Sequence, residues 1–78
     1  MPGFFVFSGD KLRAARERAG QSREQLALAA DLTASTITVY ENGYRGPSRA
    51  ALIRLAGALG VSPRELVDED PMFAAVAR

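Results

Sequence analysis

Apolar positions recur at helical spacing along the chain, in stretches separated by glycine, proline and capping residues. Between Ser8 and Ala19, Leu12, Ala15 and Ala19 stand three to four apart among Lys11, Arg13, Arg16, Glu17 and Arg18. That spacing predicts a helix with one apolar stripe, and Gly20 stands where a helix would stop. Ser22 and Gln25 form a capping box ahead of Leu26, Ala27, Ala29 and Ala30, which predicts a short second helix ending near Ala30-Asp31. Leu32 is an apolar anchor in the turn. Thr33 is a good N-cap for a third helix through Glu41. This segment is rich in β-branched residues, and locally it also reads as a strand. Helix is preferred because it gathers Ile37 and Tyr40, with Leu32 and Thr33 before them, on one face, where alternation would split Ile37 from Tyr40.

Gly43 ends that helix and a loop follows, Tyr44-Arg45-Gly46-Pro47. Ser48 caps a fourth predicted helix, Arg49 to Leu59, with Leu52, Ile53, Leu55, Ala56 and Leu59 expected inward and Gly60 as terminator. Ser62-Pro63-Arg64-Glu65 is a second capping box with proline at the first helical position, predicting a short fifth helix ending near Val67. Asp68-Glu69-Asp70-Pro71 is an acidic stop before a tail, Met72 to Arg78. The division is therefore an apolar arm over residues 1–7, a helical domain over 8–67 and an acidic stop with a short tail over 68–78.

Taken together, Ser22, Leu26-Ala27, Asp31-Leu32-Thr33, Ser35-Thr36-Ile37 and Tyr40-Glu41-Asn42-Gly43 resemble the helix-turn-helix of the Cro/C1-type (XRE) regulators. The resemblance runs from about Leu12 to Val67 and includes Pro47 and the stretch from Leu55 to Leu66. It implies an all-α fold: a compact five-helix bundle of the lambda-repressor-like DNA-binding type, with a short N-terminal arm and the motif at about 22–41. In such proteins the second helix crosses the DNA backbone and the third enters the major groove. Ala27, Leu32, Ile37 and Tyr40 are read as packing residues that fix the angle between those helices.

The resemblance places base-edge contacts at Ala34, Ser35, Thr38 and Val39. Relatives often carry Gln where this chain has Ala34, Ser35 and Val39. Gln pairs with adenine through two hydrogen bonds, whereas Ala and Val meet only a thymine methyl, so readout is expected to lean on methyl contacts, water and DNA shape. Phosphate contacts are expected from Ser22, Arg23, Asn42, Tyr44 and Arg45, with Arg49 a further candidate. The family also pairs the acid at the position of Glu41 with an arginine on the first helix, here Arg16, an ion pair read as structural.

Composition sharpens this reading. At 78 residues the chain has room for one small core. It has no Cys and no His, which removes disulfides, thiolate metal sites and the usual proton shuttle. No nucleophile–base pair stands out, so neither an enzyme nor a cofactor is expected. Ten basic and nine acidic residues give a net charge of +1, which argues little for nucleic acid. The sum conceals an asymmetry: residues 1–61 balance at +3 and residues 62–78 at −2. Nine of the ten cations are Arg, a composition associated with GC-rich bacterial genomes.

No stretch is long enough to span a membrane, and no signal peptide is visible, so a cytoplasmic protein is expected. The expected function is a double-stranded DNA-binding transcriptional regulator, a repressor on a palindromic operator, acting as a dimer because one such domain reads few base pairs. The alternative is a protein-interaction module, such as an antitoxin partnered by a toxin, that kept the fold with weak or no specific DNA binding. Phe4-Phe5-Val6-Phe7 is unusually apolar for an arm. One reading packs one or two of these residues on the outside of the core near the first and last helices. The sharper one makes Phe4, Phe5 and Phe7, with the C-terminal tail at Met72 to Val76, candidate dimer contacts, including a strand paired with its symmetry mate.

Overall fold

The computed structural model describes residues 5–69. The elements in chain order are β1 (Phe5–Phe7), α1 (Gly9–Arg18), α2 (Arg23–Ala29), α3 (Ala34–Glu41), α4 (Arg49–Leu59), a 3₁₀ turn (Pro63–Leu66) and β2 (Val67–Glu69). Every α-helix starts on a side chain suited to it. Ser8, Ser22, Thr33 and Ser48 each accept a hydrogen bond from the backbone N–H three residues on, satisfying a donor that the helix itself leaves open.

One core joins the helices. Leu12, Leu26, Ile37, Leu55 and Leu66 are fully buried, with Ala15, Ala27, Ala30, Tyr40, Ala56 and Leu59 around them. Ala27 is small where α2 packs on α3. A second close approach lies between α1 and α3, at Gly9. A Cβ there would stand 2.6 Å from the Glu41 carbonyl oxygen and closer still to that of Tyr40, so only glycine fits without a shift.

The bundle has four α-helices, not five. The capping box at Ser62 and Glu65 forms, but the turn it opens is a four-residue 3₁₀ helix. Val67 is already extended, at φ −132° and ψ 159°. The chain leaves the helix because its backbone finds partners elsewhere: Ser8 N–H donates to the Leu66 carbonyl at 2.9 Å, and β2 pairs antiparallel with β1, Phe7 opposite Val67 and Phe5 opposite Glu69. The acidic stop thus begins inside a strand. The clasp is reinforced by Lys11, whose Nζ lies 2.6 Å from Asp68 and 3.0 Å from the Val67 carbonyl oxygen.

The strand that the sharper reading of the arm paired with a symmetry mate therefore pairs within its own chain, and Phe7 packs on the core as the other reading has it. Phe7 is half-buried, packed edge-to-face on Tyr40 with ring centroids 6.0 Å apart. Phe4, the side chain of Phe5 and the tail at Met72 to Val76 lie outside the described residues. Ile53, expected inward, is 54% exposed, and Leu52 is half-buried. Helix α4 buries only the stripe Ala51, Leu55, Ala56 and Leu59.

Candidate nucleic-acid interface

The α2–α3 turn is built by three residues. Asp31 takes the left-handed conformation, φ 58°, tolerated by a short polar side chain. Leu32 N–H then donates to the Ala27 carbonyl at 2.8 Å while its side chain leans on the core. Thr33 caps α3, accepting from Thr36 N–H at 3.1 Å and donating its hydroxyl to that of Thr36 at 2.9 Å. Arg54, on α4, donates to the Ala30 carbonyl at 2.9 Å and so satisfies the open end of α2.

Helix α3 turns Ile37 and Tyr40 inward and Ser35 outward. Ala34 and Thr38 are half-buried. The Thr38 hydroxyl donates to the Ala34 carbonyl at 3.1 Å, so it turns lone pairs and a methyl, not a hydrogen, to its surroundings. Val39 is less outward than expected: it is half-buried and packs against the core. The face keeps few groups that bind a base by hydrogen bonds, and Ser35 has the most open of them.

The end of α3 carries the dominant electrostatic feature. Glu41 is buried, 3% exposed. Its Oε2 accepts from Arg16 Nε at 2.6 Å. Its Oε1 accepts from Arg23 Nε at 3.0 Å, Arg16 Nη2 at 3.3 Å and Arg13 Nε at 3.4 Å. Arg16 is buried too, and its Nη1 donates to the Gln21 carbonyl at 2.8 Å. One carboxylate therefore ties α3 to α1 and to the first turn of α2. Burial opposes the charged form of Glu41, but hydrogen bonds from Arg16 and Arg23, and the charges of both, hold its carboxyl below the usual range. The hydrogen bond to Glu41 correspondingly raises the Arg16 guanidinium above its ordinary value, against the desolvation that lowers it.

The phosphate candidates surround this cluster or follow it. Ser22 is exposed and accepts from Gln25 N–H at 3.0 Å in the complete capping box. Arg23 is half-buried because it turns back onto Glu41. Asn42 is exposed at the C-cap of α3, its Oδ1 accepting from Arg13 Nη2 at 3.1 Å. Tyr44, 80% exposed, and Arg45 stand outward in the following loop. Arg49 is exposed at the start of α4 and lines a shallow depression with Leu52, Pro63, Arg64 and Val67. Sequence reasoning missed Arg13. The available signal was its place three residues before Arg16, which puts both on one face of α1.

Residues 12–66 match the helix-turn-helix family model. The chain is a Cro/C1-type helix-turn-helix protein. Its family is one of DNA-binding transcription regulators and not of enzymes. Solved structures of similar shape include the restriction-modification controller protein C.AhdI from Aeromonas hydrophila, 40% identical, with a TM-score of 0.72 over 74% of this chain and 88% of that one. SinR, the master regulator for biofilm formation, solved in complex with DNA, is 27% identical with a TM-score of 0.71, over 74% and 94% of the two chains. The P22 c2 repressor, solved with a synthetic operator, shares the fold with a TM-score of 0.73 at 24% identity, over 78% and 92%. No curated protein matches the chain.

Among the described residues of this helix-turn-helix domain, no helix is long and apolar enough to cross a membrane. The motif spans α2 and α3, joined through the Asp31–Thr33 turn, with α1 and α4 as its support.

Proposed function

We propose that this helix-turn-helix protein is a cytoplasmic transcriptional repressor that binds a palindromic operator as a homodimer, with α3 in the major groove. The observation that carries the reading is the way α3 is held. Its C-terminal end is fastened through Glu41 to α1 and α2, while Ser35, in its first turn, stays open to solvent. A recognition helix needs this rigidity, because base contacts discriminate only when the side chains arrive in a set register. Ala34, Ser35, Thr38 and Val39 face the base edges in this reading. Ser22, Arg23, Asn42, Tyr44 and Arg45 take phosphates, and the Arg16–Glu41 pair is structural. Residues 8–67 form the DNA-reading unit. The 40% identity to a restriction-modification controller supports regulation of that kind.

Selection of bound duplexes from a random pool by the purified chain tests the proposal. A two-fold symmetric motif is the expected result, and failure to enrich any sequence overturns it. One observation favours the second reading, a protein-interaction module. Thr38 spends its hydrogen within the helix and Val39 leans on the core, so the face offers few base-reading groups. Salt separates the two, since phosphate binding weakens log-linearly with salt and an apolar interface does not.

A further inference from the structure

We infer that Arg13 is a phosphate-contacting residue of the DNA interface, one jaw of a clamp whose other jaw is Arg23 and whose hinge is the Glu41 carboxylate. The inference rests on the DNA-binding reading above and adds a residue that reading does not contain.

The argument begins with charge. Three guanidinium groups meet one carboxylate, which leaves two positive charges in surplus. Arg16 takes the buried share: its side chain is 11% exposed, and it uses Nε, Nη1 and Nη2 on Glu41 and the Gln21 carbonyl. The surplus therefore sits on Arg13 and Arg23, whose side chains are 38% and 39% exposed. Glu17 and Glu24 add through-space attraction to Arg16, but neither forms an ion pair with any of the three among the described residues. Two like charges held on one oxygen repel, and an anion between their outer ends relieves that repulsion.

Geometry gives the surplus a direction. Arg13 and Arg23 both donate Nε to the same oxygen, Glu41 Oε1, so each has its NH₂ ends beyond the carboxylate. Among the described residues Arg23 donates through Nε alone. Arg13 gives one further bond, Nη2 to Asn42 Oδ1 at 3.1 Å. That bond turns the Asn42 carbonyl toward Arg13 and leaves its NH₂ as an outward donor. Arg13, Arg23 and Asn42 thus present only donors at the place where α2 begins and α3 ends. A phosphate oxygen, an acceptor with a negative charge, is the complementary group.

The test is the salt dependence of binding to a mixed-sequence DNA duplex of roughly 20 base pairs, where phosphate contacts supply the affinity. Removing one phosphate contact lowers the slope of log K against log salt by about 0.9. Between about 50 and 200 mM salt the wild-type chain should then lose about 3.5-fold more affinity than Arg13→Gln. Arg13→Lys keeps the charge and should retain the slope. Arg18→Gln removes the same net charge from α1, beside Lys11, Ala14 and Glu65, and should leave the slope unchanged. An unchanged slope in Arg13→Gln, or an equal fall in Arg18→Gln, overturns the inference. A wild-type chain that shows no salt-dependent binding overturns the DNA-binding reading itself, and this inference falls with it.

Discussion

Glu41 illustrates how one residue sets the chemistry of its surroundings. Buried charges are costly unless paired and fully hydrogen-bonded, and this carboxylate meets both conditions by drawing arginines from two other segments. Glu41→Gln keeps the shape but strands Arg16 in a buried position. A loss of about 3 kcal/mol is expected, the scale for breaking a buried pair, read as a fall in urea midpoint. The acid side of the stability curve checks the same residue. A carboxyl lowered on folding contributes stability that is complete above its unfolded value and disappears as pH falls through the folded one. The wild-type chain should thus weaken as pH drops below 4.5, and Glu41→Gln should weaken less over that range. An identical acid profile in the two proteins would refute this role for Glu41.

At the scale of elements, the site is an angle between helices, and small residues set it. Gly9→Ala places a methyl group against the carbonyls of Tyr40 and Glu41, backbone atoms that cannot turn aside. A loss of about 1–3 kcal/mol is expected in chemical denaturation, the scale of overpacking, although alanine is the better helix former. No loss would mean that α1 can shift without cost. Most elements were legible from local rules. Ser22, Thr33 and Ser48 announce three helices, the spacing of Leu12 and Ala15 announces α1, and the Ile37–Tyr40 spacing outweighs the β-branched composition of α3. Gly9 was not legible, because its need is for space beside another helix and not for an unusual φ. Of the two strands, the one in the arm was anticipated with another partner, and β2 was missed, for a related reason. Three-residue segments whose paired residues stand 60 to 64 positions apart leave no period to read, and Val67 looked like the last residue of a helix until Phe7 was placed opposite it. The Arg16–Glu41 pairing could be anticipated from the family resemblance, but the contribution of Arg13 depends on how α1 lies across α3.

For the molecule as a whole, the net charge of +1 says less than where the charges lie. Arginines gather around Glu41, whereas Asp68 is spent on Lys11 beside the sheet. The domain therefore presents a basic region while remaining nearly neutral, which limits indiscriminate attraction to nucleic acid. The antiparallel clasp has a separate consequence, for how the polypeptide can be wired. Phe5 stands opposite Glu69, so the path of the chain through the fold is almost a closed ring. A ring can be opened elsewhere. A short glycine-serine bridge from Glu69 to Phe5, with new ends cut in the exposed loop at Arg45-Gly46, should fold to the same helical bundle, because it breaks no helix and no core contact. Circular dichroism and a melting curve would show it: a cooperative transition is expected, and a chain that stays unfolded would mean that order along the chain, and not only proximity, is needed to assemble the domain.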